Sequence, residues 1–146
     1  RLSLSLEKGE VGCLLGPRGC GKTTLLRCMS GLQALVEGDI TLSEKVISHS
    51  DFTLPTEQRN IGMVFQDYAL FPHMTIQQNI QFGITHLSRA QRKQRTQSLL
   101  ELVEVAGIVS RYPDELSGGH QQRLAVARAL APHGVGVVWR CVGPAP

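Results

Sequence analysis

The sequence has no apolar run approaching the ~20 residues that span a bilayer as a helix. Its opening, RLSLSLEKGE, lacks an apolar h-region and does not read as a signal peptide. The chain does not begin with Met and is expected to be incomplete at its front. Charge of one sign is also scarce. Fifteen Lys and Arg against twelve Asp and Glu leave a formal net charge of +3, too small to point to nucleic acid. The four cysteines, Cys13, Cys20, Cys28 and Cys141, form neither a C-x-x-C pair nor a zinc spacing, and read as free thiols of a reducing cytosol. No Phe, Tyr or Trp precedes Phe52, and no repeat or low-complexity tract occurs. What is present is ordinary. With 146 residues, 42% hydrophobic and 18% charged, the chain suits one globular domain with a core.

Residues 2–6 alternate Leu and Ser, which predicts an edge strand with one buried face. The apolar run Val11–Gly16 predicts a buried strand. A helix is expected from Lys22 to Ser30, stopped by Gly31. GDITL and KVIS predict a pair of short strands, and Ile61–Phe65 another buried one. From about Met74 the pattern turns helical. Ser88 is a natural N-cap for RAQRKQRTQSLLELVEVAG, whose Arg89, Arg92, Lys93 and Arg95 read as a solvated basic face. Ser117 caps a further helix to about Ala131, and VGVVW predicts a last buried strand. The pattern is α/β: strand–helix units about a mostly parallel sheet, with a helical insertion before the last unit.

GPRGCGKTT fits G-x-x-x-x-G-K-[ST], with Gly16, Gly21, Lys22 and Thr23 in the fixed places. A triphosphate needs several donors converging on it with no side chains in the way. Glycines at 16, 19 and 21 let the backbone N–H groups turn inward, and the helix beginning near Lys22 adds its positive dipole end. Lys22 is suited to the β- and γ-phosphates, and the Thr23 hydroxyl to Mg²⁺. The nucleotide-binding stretch is thus Gly16, Pro17, Arg18, Gly19, Cys20, Gly21, Lys22, Thr23 and Thr24. Arg18 reads equally as a phosphate contact or an exposed side chain.

LSGGHQQR supplies a second site of the same chemistry: a Ser N-cap followed by Gly118 and Gly119 at a helix start. Alone it would be an ordinary capped helix. In one chain with the phosphate loop it is more than that.

With these motifs the sequence resembles the nucleotide-binding subunit of ABC transporters. The family's L-S-G-G-Q signature stands here as Leu116-Ser117-Gly118-Gly119-His120, and VFQDYALFPHMTIQQNI resembles its Q-loop stretch, with Gln66 the named glutamine. The resemblance covers nearly all of residues 1–132. The wording NIGMVFQDYALFPHMT and RYPDELSGG is similar to importers of ferric iron, polyamines, sulfate and sugars, the ferric-iron ATPases nearest. It implies a P-loop NTPase core (1–66) with a helical ABC-signature subdomain (about 67–131), a partial nucleotide-binding domain over 1–132, and a divergent tail over 133–146. It also implies a mechanism. Two such domains pair head to tail, and ATP with Mg²⁺ on Lys22 and Thr23 of one is capped by Ser117, Gly118, Gly119 and His120 of the other. Gln66 contacts Mg²⁺ or the attacking water. Transmembrane permease subunits dock on the loop that follows, and a solute-binding protein acts indirectly. The implied place is the cytoplasmic face of the plasma membrane. His120 departs from the family's Gln, and its protonation is expected to make dimer closure mildly pH-sensitive.

Other family parts are missing. The aromatic residue that stacks on adenine would lie upstream, where this chain has none. A strand should end in Asp-Glu, holding Mg²⁺ and polarising water. Those two places fall near Arg140 and Cys141. A guanidinium repels Mg²⁺, and a thiol is a poor base for water. A switch His is not found either. The family wording is dense up to Pro132 and absent after it, as a frame disruption near His133 would leave it. Incompleteness at both ends and exposed apolar faces are therefore expected. Three activities remain open: an importer ATPase, a nucleotide-binding module or fragment that does not hydrolyse, and an ABC ATPase outside transport.

Overall fold

The computed structural model describes residues 2–17, 19–132 and, for the backbone alone, 137–140. Arg18 and Cys141, and with them most of the 133–146 tail, lie outside the described residues.

Helix α1 runs Lys22–Ser30, with Gly31 as its left-handed C-cap at φ 81°. A three-stranded antiparallel sheet follows: β1 (Asp39–Leu42), β2 (Lys45–His49) and β3 (Phe52–Thr53), in that order. The expected strand pair GDITL and KVIS is therefore present, with Ile40 opposite Ser48. Its small core is Ile47, Leu54 and Ile61.

One buried cation joins this sheet to α1. Arg59 is 1% exposed. Its Nε donates to the Leu54 carbonyl at 2.6 Å, its Nη1 to the Cys28 and Met29 carbonyls at 2.8 and 2.9 Å, and its Nη2 to Ser48 Oγ at 2.7 Å. Two of these acceptors are last-turn carbonyls of α1, where the helix dipole favours a cation. A Cβ at Gly31 would stand 2.6 Å from Arg59 Nε, so this turn requires glycine twice over, for space and for its φ.

Strand β4 (Ile61–Val64) pairs in parallel with β5 (Val137–Arg140), Val64 opposite Arg140. Between them in sequence lies the helical region: α2 (Ile76–Gln81), α3 (Arg89–Leu102) and α4 (Gly118–Leu130). Its core gathers Ile76, Ile80, Ile84, Leu99, Leu100, Leu116, Leu124 and Ala127. Ser88 caps α3, as the sequence predicts, and the structure adds a reciprocal box with Gln91. Thr75 and Gln78 do the same for α2. The last helix packs close to β4: a Cβ at Gly62 would collide with the Ala129 carbonyl.

The structure corrects three expectations. Residues 2–6 and 11–16 form no strand. Val11 is 96% and Leu15 88% exposed, and Leu2, Leu4 and Leu6 are exposed too. A strand satisfies its backbone only against a neighbour, and among the described residues the paired strands are β1–β2–β3 and β4–β5. Next, α3 ends at Leu102, short of the expected stretch, where Glu104 turns left-handed at φ 58°. Finally, the basic face of α3 is solvated only in part. Arg92 Nη2 donates to the Thr85 and Leu87 carbonyls at 2.8 and 3.2 Å, and Arg95 Nη2 to the Leu130 carbonyl at 2.8 Å, at the end of α4. Arg89 and Lys93 are exposed as expected.

Candidate functional site

The glycine-rich loop before α1 holds its shape without a strand before it. Its cation is folded into it: Lys22 Nζ donates to the Gly16 and Pro17 carbonyls at 2.6 and 2.8 Å and lies 3.3 Å from Cys20 Sγ. Gly19 and Gly21 are left-handed, at φ 84° and 95°. A Cβ at Gly16 would meet Cys20 Sγ at 2.8 Å. Gly21 is the N-cap of α1 and brings no side chain to it, so no cap competes for the first-turn N–H groups. An uncapped helix start with an ammonium beside it is a fit for phosphate. Gly16, Pro17, Gly19, Cys20, Gly21, Thr23 and Thr24 are all exposed.

Strand β4 delivers the second part. Past its end, Phe65, Gln66 and Asp67 share an open cleft of about 560 Å³ with Thr23, Arg27 and Met63. The two residues expected at the metal, Thr23 and Gln66, thus line one cleft although 43 positions apart in the sequence. The chain then turns sharply, Tyr68 and Ala69 both left-handed at φ 61° and 46°. That turn is held from α4: Arg128 Nη1 donates to the Ala69 carbonyl, and the guanidinium lies 5.3 Å from the Phe71 ring centre. Burial lowers the pKa of Arg128. Asn79, fully buried, fixes the following loop. Its Nδ2 donates to the Phe71, Met74 and Thr75 carbonyls at 3.1, 3.0 and 3.1 Å, and its Oδ1 accepts from Phe71 N–H at 3.0 Å.

The register of β5 carries a further result. Arg140 is paired opposite Val64, two residues before Gln66. The backbone of Arg140, one of the two positions where carboxylates are expected, therefore comes out at the same sheet end as the cleft.

The third part stands apart. Ser117 is the N-cap of α4, and its Oγ accepts from His120 N–H at 3.4 Å. His120 Nδ1 lies 3.0 Å from the same Oγ. Ser117, Gly118 and Gly119 are exposed, and a Cβ at either glycine would meet nothing within 4 Å. None of the four lines the Thr23–Gln66 cleft. Helical glycine costs about 1 kcal/mol against alanine. Neither glycine is needed for space within the chain.

Arg59, Asn79 and Arg128 went unnoticed in the sequence. Arg59 and Arg128 reach backbone carbonyls about 30 and 60 residues away, and such contacts leave no local pattern; Asn79 acts on carbonyls four to eight residues before it. The one available signal is a polar residue inside an otherwise apolar helix face, as Asn79 is between Ile76 and Ile80.

A G-x-x-x-x-G-K-T loop at a helix start, a glutamine after a buried strand and a Ser-Gly-Gly helix start together form the pattern of an ABC-type nucleotide-binding domain. The chain belongs to that family: the ABC transporter family model matches residues 1–134. It is 43% identical over 134 residues to the Fe(3+) ions import ATP-binding protein FbpC 2 of Haemophilus influenzae, covering 90% of this chain and 38% of that protein. It is 47% identical to the spermidine/putrescine import ATP-binding protein PotA of Roseobacter denitrificans, covering 90% of this chain and 36% of that protein. To the sulfate/thiosulfate import ATP-binding protein CysA 2 of Chromobacterium violaceum it is 50% identical, covering 88% and 34%. Among solved structures it is similar to a dimeric bacterial ABC transporter cassette, with a TM-score of 0.66 at 33% identity, over 80% of this chain and 53% of that one. The chain thus spans little more than a third of the length of these curated relatives.

Proposed function

We propose that this chain is nucleotide-binding sequence of an ABC importer's ATPase subunit. The observation that carries the reading is the shared cleft of Thr23 and Gln66 beside an uncapped α1. Gly16–Thr24 would bind the phosphates of ATP, Lys22 by charge and the loop by its N–H groups. Thr23 and Gln66 would hold Mg²⁺ through neutral oxygens. The described residues contain no cluster of three His, Cys, Asp or Glu that could grip a metal alone. Phosphate oxygens and waters would therefore complete the shell, as is usual for Mg²⁺.

The exposed Ser117, Gly118 and Gly119, with the half-buried His120, would cap the nucleotide of a second copy, and the Ala69–Met74 turn would face permease subunits. A solute-binding protein would act indirectly, and nucleic acid would have no part. No helix among the described residues is long and apolar enough to cross a membrane, so attachment at the cytoplasmic face would come through the permease. Fe(3+) import recurs among the relatives and is the solute to test first. The polyamine and sulfate relatives are as similar, so the solute is set by the partner subunits.

A second reading has its own support: binding without hydrolysis. It rests on Arg140, whose backbone pairs with Val64 at the sheet end where a carboxylate would serve, and on the Cys that follows it in the sequence. Fluorescent ATP titration with phosphate-release assay separates the two. Binding with release supports the ATPase, and binding without release the second reading. In either case Lys22→Ala should weaken nucleotide binding at least tenfold, as expected on losing a charge-assisted contact of about 1.5–3 kcal/mol. Unchanged binding would overturn both.

A further inference from the structure

We infer that His120 is a positioning residue that decides where the Ser117 hydroxyl proton points, so that capping of a phosphate by this chain is coupled to a proton on His120 Nδ1. The inference rests on the capping role proposed for Ser117. Ser117 Oγ has one hydrogen to give and two lone pairs to offer. One lone pair already receives the His120 N–H at 3.4 Å. His120 Nδ1 is 3.0 Å away, close enough to act in either direction.

When Nδ1 is unprotonated it can only accept. The serine hydrogen then points inward to the ring, and what Oγ turns outward is a lone pair, which repels an anion. When Nδ1 carries a proton, gained from water to form the imidazolium or moved there from Nε2 in the neutral ring, it donates to Oγ; only the first route takes up a proton and gives the pH dependence. Both serine acceptor sites are then filled from within the helix start, and the hydroxyl hydrogen is released outward. The imidazolium adds a positive charge in the first turn of α4. A phosphate oxygen selects the second arrangement. A glutamine at this position would donate through its amide at every pH and would not couple capping to a proton.

Other charges around α4 are engaged elsewhere. The strand β4 and the helix α2 carry no titratable residue. On α3, Arg92 and Arg95 bind carbonyls and Glu101 accepts from Gln97, while Arg89 and Lys93 are exposed. Glu104 pairs with Arg123 of α4 at 2.9 Å. Arg128 holds the Ala69 turn. In the turn before α4, the Glu115 carboxylate accepts Tyr112 N–H at 2.7 Å and Asp114 is exposed. His120 forms no ion pair among the described residues; its ring faces Ser117.

The test uses the 146-residue chain, its His120→Gln and Ser117→Ala variants, and MgATP as the probe. Self-association is measured by sedimentation from pH 8 to pH 6. The wild type should associate about three- to tenfold more tightly at pH 6 than at pH 8, once the His120→Gln profile is divided out. The variant should exceed the wild type at pH 8 and match it at pH 6. Ser117→Ala should remove the difference. In parallel, ¹⁵N spectra of the free wild type should show an unprotonated His120 Nδ1 at pH 8 whose signal moves in Ser117→Ala. Parallel wild-type and His120→Gln profiles, with association intact, would overturn this inference alone. No MgATP-dependent association in either chain at any pH would overturn the capping role beneath it. A His120 Nδ1 indifferent to Ser117→Ala would overturn the pairing itself.

Discussion

Residues 2–16 and residues 76–131 both carry many aliphatic side chains, Leu above all, yet they meet opposite fates. Ile80 and Leu124 are fully buried, while Val11 and Leu15 stand almost wholly in solvent. A helix closes its own hydrogen bonds and brings positions three and four apart onto one face. Packing three such faces then needs only short connections. A strand closes nothing by itself. The apolar run at 11–16 has the composition of a buried strand, but no paired strand among the described residues lies beside it. Apolar composition thus states what a segment would gain by burial. Whether it is buried depends on what stands next to it.

The comparison can be broken by mutation. Arg59→Met should have the largest effect. It leaves the Leu54, Cys28 and Met29 carbonyls and Ser48 without their donor, a loss of roughly 3–5 kcal/mol. Urea unfolding followed by circular dichroism reads it. Ile80→Ala opens a cavity in the helical core and should cost about 2–4 kcal/mol by the same measurement. Ser88→Ala removes only the α3 cap and should cost about 1 kcal/mol. Leu15→Ala should be nearly neutral, within about 0.5 kcal/mol, and hydrogen exchange should show unprotected amides over 11–16 against slow ones over 76–81. A cost for Leu15→Ala like that of Ile80→Ala would end the contrast. It would mean that residues 11–16 pack against a neighbouring strand in solution.

The legible parts of the sequence share one property. The α1 span with its Gly31 stop, the Ser88 and Ser117 caps and the β1–β2 pair all rest on residues within a few positions of one another. The phosphate loop is legible for the same reason, since its chemistry occupies nine adjacent residues. Val11–Gly16 misled because a strand's partner is not written in the strand. Arg92 and Arg95 misled because basic residues on a polar helix face look alike whether they end in water or on a carbonyl.

By itself, then, the sequence determined which donors stand together: Lys22 and Thr23 at one helix start, Ser117 and two glycines at another. Backbone donors at a helix start and adjacent side chains are local matters. Only the tertiary structure decided that Thr23 and Gln66 line one cleft, that Ser117–His120 lie outside it, and that Arg140 ends its strand opposite Val64. Those are pairings between distant segments. They are fixed by which apolar faces bury one another, and short-range pattern carries no record of that choice.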